Sequence, residues 1–128
     1  MIVTPHDPTD GIYATTTEYV HANEVVGATR LLFVAGTMGL DAQREPGDGI
    51  DEQLELIWSN IRRILADADM TVDNIVRLTS YLADPSYAAK NGAARVAALG
   101  GRAIPTTGLV VQLFDPRWLV EIEVIAAA

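Results

Sequence analysis

The sequence contains no cysteine. That excludes a disulfide framework, a thiolate nucleophile and a zinc–thiolate centre. Positive charge is scarce. Nine Lys and Arg stand against seventeen Asp and Glu, a formal net charge of −8. Proteins that grip nucleic acid or anionic membranes do so by neutralising phosphates with Lys and Arg, so neither is an expected partner. A small anionic ligand held by one local Arg remains compatible. Neither of the two histidines has a second His and carboxylates at metal-ligand spacing, so no metal site is expected. The glycines are scattered singly and build no phosphate loop. No run approaches the roughly 20 apolar residues of a membrane span. The segment Met1 to Pro8 has neither a basic region nor an apolar stretch and does not read as a signal peptide. A cytoplasmic location is the expectation.

What is present is a chain of 128 residues, 49% of them hydrophobic. The length predicts one domain with a real core. A chain this short leaves much apolar surface uncovered unless it oligomerises. There is no internal repeat and no low-complexity segment. The first ten residues hold two Pro and two Asp and read as a meander. Ile12 to Ala22 is rich in Thr, Tyr and Val, a strand-like composition. Asn23 to Thr29 carries a turn at Gly27. Leu31 to Ala35 is an apolar run ending at Gly36, which suits a strand buried on both faces and paired with the preceding one as a hairpin.

Asp41 to Gly49 is a loop by composition. From about Asp51 to Asp69, residues Leu54, Ile57, Trp58, Ile61, Ile64, Leu65 and Ala68 recur at three- and four-residue steps and predict an amphipathic helix. Asp48 or Asp51 caps it, and Arg62 and Arg63 lie on its solvated face. Ile75 to Leu82 reads as a strand with Val76, Leu78 and Leu82 on one face and Arg77, Thr79 and Tyr81 on the other. Asp84-Pro85 starts a second, Ala-rich helix that runs to about Leu99 and stops at Gly100-Gly101. Strands at Thr106–Leu113 and Trp118–Ile125 follow, joined through Asp115-Pro116. The predicted order is β-β-α-β-α-β-β, an α+β fold with two helices on one face of a mixed sheet. The other face then needs cover, which a second subunit would supply.

The last strand is the most informative. Trp118, Val120, Ile122 and Val124 share one face; Leu119, Glu121, Glu123 and Ile125 share the other. Two carboxylates two residues apart fit a surface edge strand. They fit equally a semi-polar cleft, where a carboxylate acquires a raised pKa and moves a proton.

Four stretches, taken together, resemble one family. Val120-Glu121-Ile122-Glu123-Val124-Ile125-Ala126, after a Pro, a short strand and a Pro-containing turn, is similar to the signature end of the Rid/YjgF (reactive-intermediate deaminase) proteins. Tyr19-Val20-His21-Ala22 resembles their Tyr-Ser-His-Ala segment. Leu32 to Gly36 with Gly39-Leu40-Asp41 resembles their strand ending in Ser-Gly-Gln and then Leu-Asp. Glu52-Gln53 with Asn60-Ile61 and Ile64-Leu65, followed by Tyr87 to Asn91, completes a similarity over residues 15 to 127.

The resemblance implies a chorismate-mutase-like fold and a homotrimer with small-molecule clefts between subunits. It also implies hydrolysis of imines and enamines such as 2-aminoacrylate to 2-oxo acids and ammonia, without metal or organic cofactor. In typical members an Arg in a Pro-Ala-Arg-Ser stretch clamps the substrate carboxylate, a role that suits a planar bidentate guanidinium. A Glu on the last strand positions water, and a Tyr near the N-terminus lines the pocket. Carried over, Glu121 and Tyr19 are the catalytic candidates, and Asn91, His21, Ala35 and Gly36 the substrate-binding ones. The arginine does not carry over: Thr107 stands in its place, and Ala35 replaces the Ser. Thr107 offers one hydroxyl and no charge. Loss of a charge-assisted bidentate contact costs several kcal/mol of carboxylate binding. The chain therefore reads as an atypical member acting on a small imine, enamine or related carbonyl compound, or as a non-catalytic binder. Arg102, five residues upstream, is the remaining cation near this loop; its simpler reading is a surface residue at the helix exit.

Overall fold

The computed structural model describes residues 1–128. Six strands and two helices follow in the order β1 (Ile2–His6), β2 (Ala22–Val26), β3 (Leu31–Met38), α1 (Gly49–Asp67), β4 (Ile75–Leu82), α2 (Ala88–Ala98), β5 (Thr106–Val110) and β6 (Val120–Ala127). The stripe on α1 sets the core. Leu54, Ile57, Trp58, Ile61 and Leu65 are buried. They cluster with Val34 of β3, Leu78 and Leu82 of β4, and Val120, Ile122 and Val124 of β6. Alternation in β4 and β6 sends every second residue into that layer and leaves the others half-buried on the far side.

The main sheet has the order β3-β6-β4-β5. β6 is antiparallel to both neighbours, whereas β4 and β5 are parallel. A parallel pair needs a crossover, and α2 provides it. The fold is thus the expected α+β arrangement, helices on one face of a mixed sheet. On the opposite face Phe33 is 71% exposed. β3 carries one extra residue between Val34 and Thr37 relative to β6, a bulge at Ala35-Gly36.

The N-terminal part departs from expectation. The first strand is not Ile12–Ala22. Residues 2–6 form a strand instead of a meander, and it pairs antiparallel with 22–26 as a separate two-stranded ribbon. The intervening Thr-rich segment is captured by side chains. Asp7 accepts from Thr15 Oγ1 (2.7 Å) and from the His21 N–H (3.0 Å), local bonds that compete with a strand ladder. The expected hairpin with Leu31–Ala35 is also absent, because β3 pairs with β6. Nor is β3 buried on both faces: Val34 is buried, while Leu31, Phe33 and Ala35 are exposed.

Smaller shifts occur at boundaries. β5 ends at Val110, and β6 runs from Val120 rather than Trp118. Asp84 accepts from the Ser86 N–H at the start of a 3-10 turn that leads into α2. Asp48 occupies the cap position of α1 without a side-chain cap; its own N–H donates to Glu52 Oε2 (2.7 Å).

Gln53 ties the start of α1 to the entry of β6. Its Nε2 donates to the carbonyls of Gly47 (3.1 Å) and Arg117 (2.9 Å), and its Oε1 accepts from the Leu119 N–H (2.9 Å). The side chain is buried, so Gln53→Leu strands these groups. Urea unfolding at fixed protein concentration should show a loss of about 2–4 kcal/mol. A loss below about 0.5 kcal/mol would mean that water replaces the bonds.

Candidate active site

An arm spanning residues 13–25 folds over the starts of β4 and β5 and leaves a cleft of about 540 Å³, lined by Tyr13, Tyr19, His21, Asn23, Arg77 and Thr107 among others. Local bonds hold the arm. Asp7 anchors it, and the two hydrogen bonds to Asp7, first from Thr15 and then from the His21 backbone, keep its carboxyl below the usual range. Asn23 Nδ2 donates to the Val76 carbonyl (3.2 Å). His21 Nε2 lies 2.9 Å from the Tyr13 carbonyl oxygen. A carbonyl only accepts, so Nε2 carries a hydrogen, and in the neutral ring Nδ1 is left as an acceptor. Tyr13 and Tyr19 meet the imidazole edge-on, with ring centroids 5.0 Å and 6.3 Å away. At the cleft floor Arg77 Nη2 donates to Thr107 Oγ1 (2.8 Å) and Nη1 to the Leu78 carbonyl (3.0 Å).

The two carboxylates lie further along the open sheet face. Glu123 sits opposite Thr79, and Glu121 opposite Tyr81 and Met38. They differ in state. Glu123 Oε1 accepts from the Tyr81 hydroxyl (2.5 Å), a bond that raises the Tyr81 pKa. Glu121 has no such partner, and its pKa is raised, first by burial and then by the neighbouring Glu123 charge. Its carboxylate lies over the β3 bulge. A Cβ on Gly36 would land on Glu121 Oε2, so only glycine leaves room for that rotamer. Ala35 and Gly36 border a second groove of about 730 Å³ beside Phe33 and Met38.

Residues 11–128 match the sequence model of a family described as Endoribonuclease L-PSP. This chain belongs to that family, the Rid/YjgF proteins. Over 63 residues it is 30% identical to Protein MMF1, mitochondrial, of Saccharomyces cerevisiae, covering 48% of this chain and 43% of that protein. Over 55 residues it is 36% identical to RutC family protein YjgH of Escherichia coli, covering 43% of this chain and 42% of that protein. The aligned segments thus span less than half of either relative. The fold is similar over its full length to that of YyfB from Yersinia pestis, a protein of the conserved Rid family, with a TM-score of 0.85, 27% identity and 100% of both chains covered.

Within this Rid chain, Tyr19, His21 and Thr107 share one cleft. Ala35, Gly36 and Glu121 form a second group at the β3 bulge. The two are not together in one protomer. Arg77 pairs across the sheet with Ile125, four residues from Glu121, a separation of about 13 Å along an extended strand. Asn91 is buried in α2 with its Oδ1 unpartnered and lines neither cleft. Arg102 does not reach the cleft either. It is half-buried and donates to the Ile75 (2.9 Å) and Val72 (2.7 Å) carbonyls. No three His, Asp or Glu side chains converge as a metal-binding group, and no helix is long and apolar enough to cross a membrane.

Sequence reasoning passed over three of these lining residues, Tyr13, Asn23 and Arg77. For Arg77 a signal existed: it is the one charged residue of β4, on the strand's outward face. Its meeting with Thr107 depends on the β4–β5 register, in which Thr79 pairs with Thr107.

Proposed function

We propose that this Rid-family chain is an enzyme acting on a small imine, enamine or related carbonyl compound in a cleft between subunits of a homotrimer. Glu121 and Tyr19 are its catalytic groups, and Thr107, His21 and the Ala35-Gly36 strand shape the substrate site. One observation carries this reading: a Glu121 carboxylate with a raised pKa is seated over Gly36 in a rotamer that a Cβ at that position would displace. A half-desolvated carboxylate on an open face is costly for stability and apt for proton transfer.

In the proposed reaction Glu121 takes a proton from water as the water oxygen bonds to the C=N carbon. Glu121 hands that proton to the nitrogen, the new hydroxyl gives up its own proton to the departing amine as the C–N bond breaks, and ammonia leaves a carbonyl: imine plus water gives carbonyl plus ammonia. The cleft that holds Tyr19 lies beside Arg77, whose cross-strand partner Ile125 is about 13 Å along β6 from Glu121, so in the proposed assembly the pair would meet across a subunit boundary. The open sheet face with exposed Phe33 supports such an assembly. A net charge of −8 opposes a polyanionic substrate and disfavours the endoribonuclease activity by which the family is described.

A second reading, a non-catalytic small-molecule binder, is favoured by Thr107 at the position of the family's arginine. The two readings separate in an assay in which an amino-acid oxidase generates imines in place and semicarbazide traps those that survive. The purified protein should cut semicarbazone formation at least tenfold. If no imine, with or without a carboxylate, decays faster in its presence, the enzyme reading is wrong and the binder remains. Thr107→Arg run alongside reports whether a cation at position 107 adds turnover.

A further inference from the structure

Arg77 is half-buried and has no carboxylate partner. The chain's ion pairs use His6, Lys90, Arg95 and Arg117. Glu123 borders the same small groove as Arg77, yet it bonds Tyr81 instead. An unpaired guanidinium withdrawn from water is unfavourable, and a chain with seventeen acidic residues had ample means to neutralise it.

The guanidinium is nevertheless held in place. Two of its five N–H groups are engaged, one on the Leu78 carbonyl and one on Thr107 Oγ1. The other three have no partner within the chain. Thr107 accepts from Arg77, so its own hydroxyl proton is free to donate outward. Together they present a planar cationic fork and a neutral donor side by side at the floor of the cleft lined by Tyr13, Tyr19 and His21. The register explains the coincidence. Residue 107 lies beside Thr79 on the parallel strand, and Arg77 precedes Thr79 by one same-face step. A long side chain from 77 and one from 107 therefore address the same volume.

We propose that Arg77, braced by Thr107, is the carboxylate-binding and specificity-determining residue of this cleft, restoring from β4 the charge that β5 lacks. Resting on the reading above, this gives the cleft a preference, set by β4, for ligands that carry a carboxylate over their neutral counterparts. A carboxylate seated on the free Arg77 donors and the Thr107 hydroxyl would leave the rest of the ligand in the cleft lined by Tyr13, Tyr19 and His21.

The test uses pyruvate as the probe and its uncharged methyl ester as the control, on the intact, assembled protein. In the wild type the Arg77 Nε–H resonance should shift on adding pyruvate and stay still with methyl pyruvate. Arg77→Gln should weaken pyruvate binding about tenfold or more, the scale of a lost charge-assisted contact, and leave methyl pyruvate unaffected. Arg77→Lys should recover part of the loss, and Thr107→Val should fall between. An unmoved Arg77 resonance overturns the proposal even if no variant assembles. So does equal pyruvate binding by the wild type and Arg77→Gln, or equal binding of acid and ester. The imine assay fails independently. Arg77-dependent pyruvate binding without turnover removes only the catalytic reading. Turnover with Arg77-independent binding removes only this one.

Discussion

Glu121→Gln is expected to slow imine hydrolysis by about 10²- to 10⁴-fold, the contribution of a positioned general base. The substitution keeps shape and removes the proton acceptor. Glu123 is not a ready substitute, since the Tyr81 hydroxyl occupies one of its oxygens. The pH profile adds a sharper criterion. A base works only when ionised, so the rate falls as pH drops through the Glu121 pKa. Burial and Glu123 raise that value above the ordinary 4.5, so the acid limb of kcat/KM should lie above the usual carboxylate range and vanish in Glu121→Gln.

Stability should run the opposite way. A carboxyl with a raised folded-state pKa is equally protonated in both states at low pH. It penalises folding as pH climbs from the unfolded value through the folded one. Relative to the wild type, Glu121→Gln should therefore gain stability toward neutral pH and show no difference at low pH. Undiminished turnover in Glu121→Gln would remove this residue from the mechanism.

Phe33→Glu should abolish assembly. Phe33 stands 71% exposed on the sheet face that no helix covers, and Leu31, on the same side of β3, is 59% exposed. Its cross-strand partner is Ile125, and it borders the groove that holds Glu123. A carboxylate placed there removes apolar area and adds like charge beside Glu123, both unfavourable to a second subunit. Light scattering should report a trimer for the wild type and a monomer for the variant. Imine turnover should disappear with the trimer, because Tyr19 and Glu121 border different clefts of one protomer and the proposed site joins them across the subunit boundary. A monomeric wild type, or a monomeric Phe33→Glu that still turns over imines, would place the whole site within one chain and overturn the inter-subunit reading.

The parts of this molecule that are legible in the sequence are those whose pattern the backbone imposes locally. The three- and four-residue steps from Leu54 to Leu65 follow from helix geometry, and the alternation at 75–82 and 120–127 follows from the pleat. Asp84-Pro85 and Gly100-Gly101 mark the ends of α2 because their conformations suit starts and stops, the two glycines adopting positive φ. The outward placement of Glu121 and Arg77 comes from the same alternation. The N-terminal strands were not legible, since the strand-forming composition of residues 12–22 yields to the bonds that Asp7 makes across fourteen residues. What only the tertiary structure decided is company. Glu121 meets Gly36 because a bulge in β3 shifts the register, and Arg77 meets Thr107 because α2 returns the chain to lie parallel to β4. Pairing partners are chosen by burial of the whole sheet, whereas residue spacing reports only on the strand that carries it.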